Sequence, residues 1–128
     1  MNSQCGLIDL VAQLIEAENE NGKPGRAKAE LILAENFTRI TRASGEEQDR
    51  EVLLNEIENP RKLGLRRSLD DRERWECCSG DLGVVRSIVL VTDLANAQAK
   101  PMRFRNTHIF ERQGENWFCV AWQVTKLA

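Results

Sequence analysis

The sequence predicts one α+β domain over residues 1–128, with three helices first and a curved, mainly antiparallel sheet after them. Two patterns predict it. Apolar residues recur at helical spacing only in the first half of the chain, whereas β-type alternation dominates from Leu65 onward. The breaks within that second half are short and rich in turn residues, as hairpin connections require.

The clearest helix runs from about Gln4 to Asn19, because Leu7, Leu10, Val11, Leu14 and Ile15 form a single apolar stripe. The polar run Glu18 to Gly22 stops it. Pro24 then opens a second helix, where its missing N–H costs nothing, with Ala27, Leu31 and Ala34 as a modest apolar side. Phe37 to Thr41 alternates in the manner of a short strand. Ser44 and Glu47 have the spacing of a capping box for a third helix, which carries Leu53 and Ile57 and ends at Asn59-Pro60. Strands are expected near 65–69, 73–79, 84–92, 102–112 and 116–125, the last two joined at Gln113-Gly114-Glu115.

Strand parity selects the inward side chains, since successive residues face opposite sides of a sheet. Met102, Phe104, Asn106, His108, Phe110 and Arg112 share the more apolar face of their strand. Asn106 and His108 therefore sit as polar groups in its middle, either satisfied by neighbours or lining a cavity. Arg86 shares a face with Ile88 and Leu90, and Glu73 shares one with Trp75 and Cys77. On the closing strand Phe118, Val120, Trp122 and Val124 form one apolar row. The opposite row of Trp117, Cys119, Ala121 and Gln123 is also fairly apolar. Three helices can cover one sheet face only, so a second copy of the chain on the outer face is expected.

Composition narrows the function. A formal charge of -2 and an ordinary charged content of 30% argue against a nucleic-acid binder. The basic run Arg61 to Arg67 is followed by Asp70, Asp71, Glu73 and Glu76 and has no interleaved aromatic residue. No cysteine pair has zinc-knuckle spacing and there is a single histidine, so no metal or other cofactor is expected. The four cysteines read as reduced thiols in a cytoplasmic protein. Neither a secretion signal nor a membrane-spanning stretch is evident.

The run Thr107-His108-Ile109-Phe110-Glu111-Arg112-Gln113-Gly114-Glu115-Asn116-Trp117, continuing through Trp122 to Thr125, resembles the last hairpin of the nuclear transport factor two-like superfamily. The segment Ala34-Glu35-Asn36-Phe37-Thr38 and the later Ser44-Gly45-Glu46-Glu47 resemble the same superfamily's opening. The resemblance implies a cone-shaped fold, a bent sheet wrapped around helices with a pocket at the open end, and frequent dimerisation. It is nearest to small stand-alone bacterial members and to the association domain of calcium/calmodulin-dependent kinase II. In that domain the position of His108 is a pocket residue, while the kinase domain's pocket arginines fall at Leu90 and Val124. A more apolar cavity is therefore expected here. Enzymes of the superfamily, such as ketosteroid isomerase, scytalone dehydratase and polyketide cyclases, hold a carboxylate or an Asp–His pair in the cavity.

Two functions follow as expectations. The first is a small-molecule-binding or oligomerisation module whose largely apolar cavity is lined by Trp75, Arg86, Asn106, His108 and Trp122. Its ligand would be small and apolar with one or two polar handles. The second is a cofactor-independent isomerase, dehydratase or cyclase in which His108 is the general acid/base, paired with Glu73.

Overall fold

The computed structural model describes residues 5–41, 45–96 and 98–127. Three helices, α1 (Leu7–Glu20), α2 (Gly22–Glu30) and α3 (Arg50–Glu58), accompany strands β1 (Leu33–Thr41), β2 (Glu46–Asp49), β3 (Leu65–Ser79), β4 (Leu82–Asp93), β5 (Met102–Gln113) and β6 (Asn116–Lys126). The strands form one sheet in the order β2-β1-β6-β5-β4-β3. Every neighbouring pair is antiparallel except β1 with β6, so the sheet is mixed.

The expected stripe of α1 is buried at Leu7, Val11, Leu14 and Ile15, with Leu10 half-buried at its edge. Its first turn has no local side-chain cap. The carboxylate of Glu76 on β3 takes that role, accepting from Ile8 N at 2.9 Å and from Cys5 N. This satisfies donors that the helix itself cannot pair and places negative charge where the helix dipole favours it. Cys78, two residues along the same strand, is disulfide-bonded to Cys5. The four thiols are thus not all reduced: Cys77 and Cys119 are free, while Cys5 and Cys78 tie the start of α1 to β3.

Helix α2 begins at Gly22, so Pro24 lies in its first turn, where no intrahelical N–H is lost. Its buried side is Gly25 and Ala29 rather than Ala27 and Leu31. A Cβ on Gly25 would lie 2.3 Å from the Ala17 carbonyl oxygen, so α1 and α2 approach closely only because that residue has no side chain. Leu31, 78% exposed, caps the helix from outside the core. Helix α3 is capped by Asp49, whose side chain accepts from Val52 N at 2.9 Å. The expected cap Ser44 lies outside the described residues, and Glu47 belongs to β2, a strand the sequence pattern did not announce.

The two segments expected near 65–69 and 73–79 are one strand, β3, with a shift of register between Leu69 and Arg74. A second irregularity reorders β6. Ile109 pairs with Ala121 but Phe110 pairs with Cys119, which leaves Val120 as the extra residue of a bulge. Beyond the bulge the faces exchange. Trp122 and Cys119 are both buried toward the core, so Phe118 falls on the opposite side from Trp122, against the expectation of one unbroken row.

The core lies between the helices and one sheet face. There Val85, Val89, Phe110, Cys119 and Trp122 pack with Leu7, Leu14, Leu53 and Ile57. A Cβ on Gly83 would meet Leu7 Cδ1 at 2.3 Å, so this glycine lets α1 lie directly on β4.

Candidate functional site

Cross-strand register places the site. Val85 pairs with His108, Ser87 with Asn106 and Val89 with Phe104, and on the other side His108 pairs with Trp122 and Asn106 with Val124. All of these side chains share the helix-covered face. A cavity of about 640 Å³ opens over it, walled by Leu53 and Ile57 of α3, Val89 and Val91 of β4, Phe104 of β5 and Val124 of β6.

One wall is polar. Arg39 of β1 stands over the Trp122 ring, with its guanidinium carbon 5.0 Å from the ring centroid. Its Nε donates to Gln48 Oε1 at 2.9 Å and its Nη2 to Glu56 Oε2 at 3.3 Å, while Nη1 lies 4.0 Å from Glu18. Gln48 Nε2 in turn donates to the other Glu56 oxygen at 3.0 Å. Glu18 also faces Arg67 Nε at 3.5 Å. It is positioned by Asn19, whose amide pairs with both backbone groups of Arg67 at 2.7 and 2.8 Å. Below the guanidinium, the Trp122 indole donates to Asn106 Oδ1 at 2.5 Å and Asn106 Nδ2 donates to the Phe104 carbonyl. A clamp of two carboxylates and an amide therefore holds one arginine over a tryptophan ring. Such a group is pre-organised, because its rotamer entropy is already lost.

His108 does not reach the cavity. It is fully buried beneath Trp122, the ring centroids 4.6 Å apart, with Phe110 on another side at 6.4 Å. Both ring nitrogens and the Ser87 hydroxyl lack hydrogen-bond partners among the described residues. Burial, helped by the charge of Arg39, pushes the imidazole down to about 3. It is therefore neutral at physiological pH and shielded from any substrate. Burial likewise pushes the Cys119 thiol well above its ordinary range, so it is an inert core group.

Of the site residues expected from sequence, Asn106, His108 and Trp122 come together on the inner face. Trp75, Arg86 and Glu73 do not. Trp75 pairs with Arg86 on the outer face, where both are exposed, and Glu73 pairs with Arg103 at 3.1 Å on the same side. The His108–Glu73 pairing is thus ruled out by the sheet itself, which lies between them. Alternation along β4 holds, but the inward row is Val85, Ser87 and Val89 rather than the row of Arg86. Arg86 is adjacent to Val85 and Ser87, and it is these two that pair with His108 and Asn106. Sequence reading also missed Glu18, Arg39, Gln48 and Glu56. The signal for Arg39 was available, since it shares strand parity with the buried Phe37. No group of metal-ligating side chains occurs among the described residues.

The cavity is less apolar than expected. Five cations, Arg39, Arg61, Lys62, Arg67 and Lys126, line it with only three carboxylates, Glu18, Glu46 and Glu56.

Comparison with solved structures fixes the architecture. An NTF2-like protein from Cytophaga hutchinsonii superimposes with a TM-score of 0.78 over 99% of this chain and 100% of its own, at 17% identity. The fold is NTF2-like. An NTF2-like protein of unknown function from Pseudomonas aeruginosa gives the same TM-score of 0.78 at 17% identity, covering 97% of this chain and 100% of its own. A putative calcium/calmodulin-dependent kinase II association domain from Exiguobacterium sibiricum gives 0.68 at 18% identity, over 100% of this chain and 98% of its own. No family model and no curated protein matches the sequence. The NTF2-like architecture is therefore shared with proteins whose own activity is unassigned, and the chemistry has to be read from this chain's residues.

Proposed function

We propose that this NTF2-like chain is a non-catalytic small-molecule-binding module, with its ligand held in the inner-face cavity between α3 and strands β4 to β6. The observation that carries this reading is the Arg39 clamp on Trp122. It places a fixed guanidinium, seated on the buried Trp122 ring, beside the aliphatic wall of Val89, Val91 and Val124. A volume of about 640 Å³ suits a drug-sized or smaller metabolite. The cone shape typical of such folds would set this cavity at the wide end of a bent sheet. An acid/base reaction through His108 is not part of the proposal, because the imidazole is sealed under Trp122 and stays neutral.

We also propose that a second copy covers the outer sheet face. Trp75 is 51% exposed there, opposite Arg86, and Ile109, 36% exposed, lies on the same face. A half-exposed tryptophan on a sheet face is a frequent anchor of an interface. The putative kinase association domain with the same fold fits such an assembly. As for location, no helix of the described residues is long and apolar enough to cross a membrane. The cytoplasmic placement expected from free thiols meets a Cys5–Cys78 bond that an oxidising compartment would preserve. Thiol counting on protein alkylated inside intact cells settles it: four free thiols support the cytoplasm, two oppose it.

The binding reading is tested by native mass spectrometry of the purified protein after incubation with a metabolite extract. The wild type is expected to retain a small molecule that Val91→Trp, which fills the cavity, does not. Trp75→Ala should retain it fully. Equal retention by the wild type and Val91→Trp overturns the proposal.

A further inference from the structure

Resting on that reading of the cavity, we infer that its ligand is an amphipathic anion, with an apolar body against the inner sheet face and a carboxylate or similar head at the open rim. The charges in the cavity are not equivalent. Arg39 is neutralised by Glu56 and approached by Glu18, Arg67 also meets Glu18, and Lys62 pairs with Asp93 at 3.1 Å. Arg61 and Lys126 line the same cavity, and among the described residues neither has an acidic partner. They come from separated parts of the chain, the turn after α3 and the end of β6, yet both border one opening.

The opening thus carries two cations outside these ion pairs, Arg61 and Lys126, against one further lining carboxylate, Glu46, which leaves it net positive in a chain whose overall charge is -2. That local excess of positive potential selects an anion and rejects a cation. The interior selects differently. Val89, Val91, Phe104 and Val124 offer aliphatic and aromatic surface, and the donors of Arg39 are already committed to Gln48 and Glu56. A second charge buried at that depth would have to displace Glu56 or Glu18 from the guanidinium, which costs more than it returns. The head therefore belongs at the rim and the tail inside. A ligand with charge at both ends, or with a cationic head, fits neither part.

The test uses three probes with one tail and different heads: decanoate, decanol and decyltrimethylammonium, each below its aggregation threshold. Binding is measured by isothermal titration calorimetry on the full chain. Decanoate is expected to bind about tenfold more tightly than decanol, and the ammonium probe more weakly than either. The preference should shrink as salt rises, because both cations are exposed. Arg61→Gln with Lys126→Gln should abolish the preference while leaving decanol affinity unchanged, and circular dichroism confirms that this surface variant folds. Decanoate and decanol binding equally, with both lost in Val91→Trp, would overturn the anionic head and keep the cavity as a binding site. No probe binding, or binding that Val91→Trp does not weaken, would overturn both.

Discussion

The two faces of the sheet are made by alternate residues of the same strands, yet they do opposite things. On β5, Asn106, His108 and Phe110 are buried toward the helices, while Arg105, Thr107 and Ile109 between them look outward. On β3, Glu76 and Cys78 reach in to hold the start of α1, whereas Trp75 and Cys77 face out. The inner face invests its polar groups in fixed partners: Glu76 on a helix terminus, Asn106 on an indole, Arg39 on two carboxylates. The outer face keeps its charges in exposed pairs such as Arg103–Glu73, which contribute little to stability. Position on one face or the other, more than residue type, thus decides what each side chain is for.

Neighbouring substitutions across that divide test the contrast. Phe110→Ala should cost about 3–5 kcal/mol of unfolding free energy, and the adjacent Ile109→Ala about 1 kcal/mol, both read by urea denaturation. Equal effects would mean that the outer face is as deeply covered as the inner. Cys78→Ser should lose about 2–4 kcal/mol by opening a loop spanning a sequence separation of 73, whereas Cys77→Ser should stay within about 0.5 kcal/mol. Non-reducing peptide mapping identifies the bonded cysteine independently.

The pH dependence is a smaller effect with a definite sign. His108 is held down to about 3 in the folded chain and returns to its ordinary value of 6.5 on unfolding. The unfolded state therefore binds the extra proton between these values, so stability present above 6.5 is lost progressively as pH falls toward 3. Between pH 7 and 5 the loss from this group is about 2 kcal/mol, and His108→Phe should remove that part of the slope. The same variant should be near-neutral or stabilising at pH 7, because it deletes two buried unpaired nitrogens. On the outer face the expected change is in assembly alone. Trp75→Glu should shift the mass seen by light scattering from dimer to monomer while leaving the monomer's fold and ligand binding intact.

Much of this architecture was legible in the sequence. The stripe of α1, the order of helices before strands, and the inward row of Phe104, Asn106, His108 and Phe110 all follow from periodicity, and the structure keeps them. What was not legible depends on contacts between distant segments. Parity divides a strand into two rows but does not say which row is covered, so Arg86, Trp75 and Glu73 were turned to the wrong side. The bulge at Val120 exchanges faces within one strand with no glycine or proline to announce it. The cap of α1 by Glu76 and the bond from Cys5 to Cys78 join residues with sequence separations of 68 and 73. The cavity wall suffered most, because Glu18, Arg39 and Glu56 come from α1, β1 and α3 and meet only after the sheet has formed.

The three tryptophans allow one direct measurement. Their indole N–H resonances, assigned by single Trp→Phe variants and followed by nuclear magnetic resonance during decanoate titration, report the two faces separately. The Trp122 signal is expected to shift in a saturable way while the Trp75 signal stays still. Movement of Trp75 with Trp122 unmoved would place binding on the outer face and contradict the assignment of the inner cavity as the ligand site.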